Sequence, residues 1–261
     1  MKILVCIKEV LDADPEVELM IDEKSGWVRE DESSRYVLNR FDEYALEEAL
    51  LIKEAISPCS VDVLTVGQER SHLVVRRGLG MGADHGIQII TEQGGYLDPL
   101  QISSLVCQVV KNKQYDLILT GVMAEDTQQG QTGVMIASRL GIPWASAVIK
   151  ETMAADLKSV KVERELEGGM RDVLQLPLPC LLTIQSGINQ PRYPALSKVL
   201  KAKKAQLEVY HQRDLSEVES LQKIAALSHP KKQRQGTRLA GSSREKAQQL
   251  LAILQEKSFI H

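Results

Sequence analysis

Short apolar runs alternate along this chain with segments of helical periodicity, and that rhythm constrains the fold more than any other feature. Lys2–Ile7 is a run dominated by aliphatic and β-branched residues, and Val61–Val66, Gly86–Ile90, Asp116–Thr120 and Ala145–Ile149 are similarly short and apolar. Each is bounded by Gly, Pro or a polar cluster. Runs of this kind suit strands buried on both faces, as in a parallel sheet. Between them, Phe41–Ala55 places Phe41, Ala45, Leu46, Ala49 and Ile52 on one face, with acids crowding the first turns. Asn39 is expected to cap that helix. Further helices are expected over Ser71–Leu79, which ends at GMGAD, over Leu100–Lys111, and over Gln131–Leu140, ahead of Gly141 and Pro143. The alternation predicts βαβ units and an α/β fold with a doubly wound, mostly parallel sheet.

Two segments follow a period of two and read as antiparallel hairpins added to that core. One is Val17–Glu30, turning at Lys24, Ser25 and Gly26; the other is Val160–Leu176, turning at Glu167, Gly168 and Gly169. Pro179–Ile184 is expected to be the last core strand. Beyond it come NQPRYPALSKVLKAKK, a polar stretch from His211 to Arg238, and a final helix over Arg244–Lys257. This last quarter has too few apolar residues for a core of its own and reads as an extended arm that needs another surface to lie on.

Composition narrows the function. The chain has 261 residues, 43% hydrophobic and 26% charged, which is globular composition, and aromatic residues make up only 4%. Such scarcity argues against a stacking platform for single strands, and a net charge of -3 gives no reason to expect nucleic acid or an anionic membrane. MKILVCIKEV is too short and too polar for a signal peptide, and no apolar run approaches the ~20 residues of a membrane span. A soluble, cytoplasmic protein without membrane insertion is expected. Cys6, Cys59, Cys107 and Cys180 lie far apart with no CxxC pair, so reduced, mostly buried thiols are expected.

The stretch DLILTGVMAEDTQQGQTG, Asp116 to Gly133, carries the most chemistry. It reads as a buried strand, a glycine at its end, a polar loop, and glycines at the mouth of a helix. Ligands of open α/β sheets bind beyond the carboxyl ends of strands, where helix N-termini offer N–H groups to phosphate. Gly121, Gly130 and Gly133 would admit a phosphate, with Thr127, Gln131 and Thr132 as donors. A plain solvated loop fits the same spacing, since neither the Walker loop nor GxGxxG is matched. No catalytic constellation stands out among His72, His85, His211, His229 and His261, so no catalytic residue and no metal site are expected. Glu47 and Glu48 read as solvated. Lys198, Lys201, Lys203 and Lys204 read either as a docking patch or as a solvated helix edge.

VCIKEV, NRFDEYALEEALLIKEA, RRGLGMGADHGI and DLILTGVMAEDTQQGQTG, with VERELEGGM and LPCLLTIQSGINQPRYPALSKVLKAKK after them, resemble in order and spacing the β subunits of electron-transfer flavoproteins over nearly the whole chain. The resemblance implies a Rossmann-like nucleotide-binding domain over residues 1–188, with a recognition loop and an arm wrapping an α subunit over 189–261. It implies a structural AMP held by Cys6, Asn39, Arg40, Phe41, Asp42 and Val66, together with Gly121, Val122, Met123, Ala124, Glu125, Asp126, Thr127, Gln128, Gln129, Gly130, Gln131 and Thr132. Asn39 would be a polar wall of that site and Phe41 an apolar one. The FAD would belong chiefly to the α subunit, and the chain would be an electron carrier rather than an enzyme. Electrons would come from flavin dehydrogenases such as acyl-CoA dehydrogenases and go to the flavoprotein's quinone oxidoreductase. Leu196, on a loop after PRY, would anchor the dehydrogenase. Met123 where many members have Gln, the less acidic Thr127–Gln129, and Ala13 where some have an aromatic residue depart from the pattern. Two other readings share parts of it: an electron-bifurcating β subunit whose second FAD reacts with NADH, and a free-standing adenine-nucleotide-binding protein, which accounts for the sheet alone.

Overall fold

Why the apolar runs assemble as they do is visible in the computed structural model, which describes residues 1–12, 19–22, 26–31, 34–92, 94–229 and 236–259. In chain order the elements are β1 (Lys2–Cys6), β2 (Glu9–Leu11), β3 (Ile21–Asp22), β4 (Trp27–Val28), β5 (Tyr36–Leu38), α1 (Arg40–Ala55), β6 (Ser60–Gly67), α2 (His72–Met81) and β7 (His85–Ile90). They continue with α3 (Pro99–Val110), β8 (Leu117–Gly121), α4 (Thr132–Leu140), β9 (Trp144–Met153), β10 (Ser159–Glu165), β11 (Arg171–Pro177), β12 (Cys180–Ile184), α5 (Leu196–Lys203), β13 (Glu208–His211) and α6 (Ser243–Glu256).

The main sheet has the order β11-β10-β9-β12-β8-β1-β6-β7-β13. From β9 to β13 every pairing is parallel, and β10 and β11 add the expected antiparallel hairpin, with Val160 opposite Leu176. Gly168 and Gly169, both at positive φ, turn it. Helices cover both faces, as a doubly wound sheet requires. Ile3 and Val5 join Val63, Leu119 and Leu182 beneath Leu46 and Ala49 of α1 and Val75 of α2. Leu4, one residue out of phase, joins Leu64, Ile118 and Leu181 under Val106 of α3 and Ile136 of α4. The α/β class and the Rossmann-like sheet with antiparallel additions are as the sequence implied.

The first hairpin is present as β3 against β4, with Ile21 opposite Val28 and Gly26 at φ +65. Val17, Lys24 and Ser25 lie outside the described residues, as do Ala13 and His261. A second small ribbon, β2 against β5, was not expected.

Four expectations are corrected. Asn39 stands at the N-cap of α1 without a side-chain cap bond, because its amide is drawn into the loop after β8. Glu47 and Glu48 are buried, not solvated. The chain leaving β12 folds back over α1, where Arg192 donates to Glu47 (Nη2 to Oε1 2.8 Å, Nε to Oε2 2.9 Å) and Asn189 Nδ2 to Glu48 at 2.7 Å. Leu196 opens helix α5 instead of sitting on a loop. Arg76 of α2 donates to the carbonyls of Ala202 (2.6 Å) and Lys203 (2.7 Å), which satisfies the end of that helix. The four cysteines are free; Cys180 is fully buried, while Cys6 at the end of β1, Cys59 just ahead of β6 and Cys107 on α3 are only partly buried.

By their contacts the residues group into Met1–Ala226 and Leu227–His261. Past residue 188 the chain adds α5 and β13 to the first group, β13 pairing with β7. In the second group α6 is closed by a capping box from Ser242 and Glu245 and buries no side chain; Leu250 and Leu251 are about half exposed. Among the described residues no helix is long and apolar enough to cross a membrane.

Candidate functional site

The chain runs from β1 through α1, β6 and α2 to β7 on one side of the sheet, then returns through α3 to β8 on the other side of β1. Connections therefore diverge between β1 and β8, and the crevice beyond their carboxyl ends is the position where doubly wound sheets bind ligands.

Close approach shapes that crevice. A Cβ on Gly121, at the end of β8, would lie 2.5 Å from Asp42 Oδ1 and 2.6 Å from Phe41 Cβ, so only glycine lets the first turn of α1 sit on the strand end. Asp42 ties the two strands together there: its Oδ1 accepts from Gly121 N–H at 2.9 Å and its Oδ2 from Lys8 N–H at 2.7 Å. Burial pushes its carboxyl up to about 7, against the hydrogen bonds from Asn39, Gly121 and Lys8 and the charge of Lys8, which pull it down. Asn39, almost fully buried, pins the loop to α1 by donating from Nδ2 to the Met123 carbonyl (3.0 Å) and accepting at Oδ1 from Glu125 N–H (3.1 Å). Outside, Lys8 Nζ pairs with Asp126 at 2.6 Å.

Helix α4 points its start into the same crevice. A Cβ on Gly133 would lie 2.7 Å from Thr120 Oγ1 and 2.8 Å from Thr183 Cγ2, which seats the helix hard against β8 and β12. Gly130, at φ +63, makes the turn just before it. Gln131 holds the N-cap position without a side-chain cap bond, so the first N–H groups of α4, which have no intrahelical acceptor, gain none from it, and Gln131, Thr132 and Gly133 border an open space.

That space is a cavity of about 790 Å³ when the open solvent at its mouth is counted. Of the residues singled out in the sequence, Cys6, Asn39, Asp42, Val66, Gly121, Val122, Met123, Ala124, Thr127, Gln129, Gly130, Gln131 and Thr132 line it. Arg40, Phe41, Glu125, Asp126 and Gln128 do not. Arg40 is exposed beside Glu125, Asp126 is turned to Lys8, and Phe41 packs on Gly121 from outside. Residues that the sequence reading did not single out also line it, among them Lys8, Leu64, Leu97, Ile102, Val106 and Ile136. Lys8 could have been found, because it lies two residues past the end of the first strand.

Catalytic thiol chemistry has no support here. Burial pushes the Cys6 thiol well above its ordinary value, with Asp42 adding to it, and burial carries Cys107 to about 11, the reverse of activation. Leu196 lies elsewhere, on α5, with 75% of its surface exposed beside Tyr193 and Leu200 and among the exposed lysines 198, 201, 203 and 204.

Comparison with known proteins gives a consistent answer. The family model described as "Electron transfer flavoprotein domain" matches residues 26–215. The electron transfer flavoprotein subunit beta of Bacillus subtilis is 30% identical over 99% of this chain and 99% of its own length. That of Bos taurus is 32% identical over 98% and 97%, and that of Bradyrhizobium diazoefficiens 36% over 78% and 79%.

Proposed function

Since the chain belongs to the electron transfer flavoprotein family, as a β subunit, we propose that it pairs with an α subunit and holds AMP as structural scaffolding in the crevice between β1 and β8. The observation that carries this reading is the uncapped start of α4 opening into a cavity whose other wall is apolar. The N–H groups from Gly130 to Gly133, with Thr132, would take the phosphate. Leu64, Ile102, Val106 and Ile136 would flank the base, and Asp42 and Asn39 keep the crevice in shape from behind. An adenylate so held supplies no redox chemistry, and the chain's residues bind and orient it only.

The FAD is then held mainly by the α subunit, and the chain is an electron carrier rather than an enzyme. Residues 1–188 bind the nucleotide, while 189–261 dock and wrap: the exposed Leu196 meets the electron donor, a flavin dehydrogenase such as an acyl-CoA dehydrogenase, and α6 lies on the α subunit with Leu250 and Leu251 against it. Electrons leave toward a quinone oxidoreductase. A cytoplasmic setting belongs to this reading, and the four free thiols are in keeping with it.

Counting released cofactors in the natively purified complex tests it. One FAD and one AMP per αβ pair are expected. Two FADs would replace this reading with the bifurcating one, and a monomeric chain without nucleotide would end it.

A further inference from the structure

The polar segment after β13 is bonded along the outside of α3. Ser216 exchanges two hydrogen bonds with the Gln108 amide, its N–H to Oε1 at 2.7 Å and Nε2 to its carbonyl at 3.0 Å, and Gln101 Nε2 reaches the Val218 carbonyl at 3.3 Å. At the head of α3, Asp98 uses one oxygen to cap Gln101 N–H at 2.9 Å. Its other oxygen receives Ser220 Oγ and Leu221 N–H, each at 2.8 Å. Burial pushes the Asp98 carboxyl up, but these hydrogen bonds outweigh it and hold the group below its ordinary value, so the strap is gripped by a charged acceptor.

The strap leads to Gln222, which does not line the cavity itself but is bonded to two residues that do. Its Oε1 accepts from Gln129 Nε2 at 3.1 Å and from Tyr96 OH at 3.2 Å, and its Nε2 donates to Gln131 Oε1 at 3.1 Å. Gln129 and Gln131 both line the cavity. The second contact explains why Gln131, at the N-cap of α4, leaves that helix uncapped: its amide oxygen is turned to Gln222. One side chain thus ties Tyr96 to Gln129 and Gln131, bracing from outside the part of the wall that those two glutamines form.

We propose that Gln222 is the specificity-determining residue of the cavity, fixing Gln129 and Gln131 so that the wall they form admits an adenine mononucleotide and stops the extension of a longer adenylate. This rests on the nucleotide reading above. Gln222 also acts as a positioning residue, holding Gln131 clear of the N–H groups meant for phosphate.

Calorimetric titration of the nucleotide-stripped αβ complex with AMP and, separately, with ADP-ribose tests the assignment. The natural protein should prefer AMP by tenfold or more. Gln222→Ala should weaken AMP about tenfold, the loss of one net hydrogen bond, while ADP-ribose binding holds or improves. Tyr96→Phe, which removes the hydroxyl that donates to Gln222 and accepts from Gln129 at 2.8 Å but leaves Gln222 bonded to both glutamines, should move the ratio the same way by less. Damage to the fold would weaken both ligands together and leave their ratio unchanged. An unchanged ratio in both variants, or equal binding of the two ligands by the natural protein, would overturn the role of Gln222 while sparing the nucleotide site. Failure to bind either ligand would overturn both.

Discussion

Asp42→Ala should loosen the joint between α1 and the two strands that border the crevice. The side chain is 6% exposed and accepts two backbone N–H groups, from Gly121 at 2.9 Å and Lys8 at 2.7 Å. Leaving a buried donor without its acceptor costs about 1–3 kcal/mol, so the two together set a loss of about 2–6 kcal/mol. The loss must depend on pH. Burial raises the folded carboxyl from 3.8 to about 7, so between those values the native state holds a proton that the unfolded chain has released. Stability from this group is therefore complete below about pH 4 and declines as pH rises through 7, by on the order of 4 kcal/mol. The variant lacks that slope. Urea unfolding followed by circular dichroism should show Asp42→Ala losing most at pH 5 and clearly less at pH 8. Amide exchange at Gly121 and Lys8 should speed up in the variant. An equal loss at both pH values, or unchanged protection of those two amides, would refute the reasoning.

Glu47→Gln should cost about 1–3 kcal/mol in the same unfolding assay, because it removes one charge from a pair that is buried on the Glu47 side only, and it should free the 189–195 segment to proteolysis. Glu151, hydrogen-bonded to Glu48, is pushed up to about 7 by burial and by that neighbour's charge. Its contribution is also complete below about pH 4.5 and lost through 7, so Glu151→Gln should flatten the fall in stability across that window, measured by thermal melts at each pH. Leu196→Ala removes a side chain 75% exposed here; if its burial by a dehydrogenase contributes about 1–2 kcal/mol, reduction of the complex should slow about tenfold at limiting dehydrogenase with both cofactors retained. Stopped-flow reduction reads that directly.

What was legible in the sequence was whatever a local period encodes. Val5 and Leu4 face opposite helix layers because neighbouring strand residues must, so apolar runs announced the sheet and its double cover. Gly121 and Gly133 announced the crevice because close approach is written in single residues. Contacts between distant segments left no local mark. Glu47 looks solvated until Arg192 arrives from the far end of the chain, and Asn39 looks like a cap until Met123 and Glu125 take its amide. Likewise Leu97 and Ile102 join the cavity only through the crossover of α3, and β13 pairs because β7 offers it an edge. The helix at Leu196 has no local mark, because PRYPA precedes it and its support, Arg76, lies on α2.

An experimental electron-density map of the natively purified complex would test the central claim most directly. An adenylate should lie in the crevice, its phosphate against the first N–H groups of α4 and its base on the Leu64 and Val106 side. A crevice filled by solvent alone, in a chain folded without any second polypeptide, would contradict it.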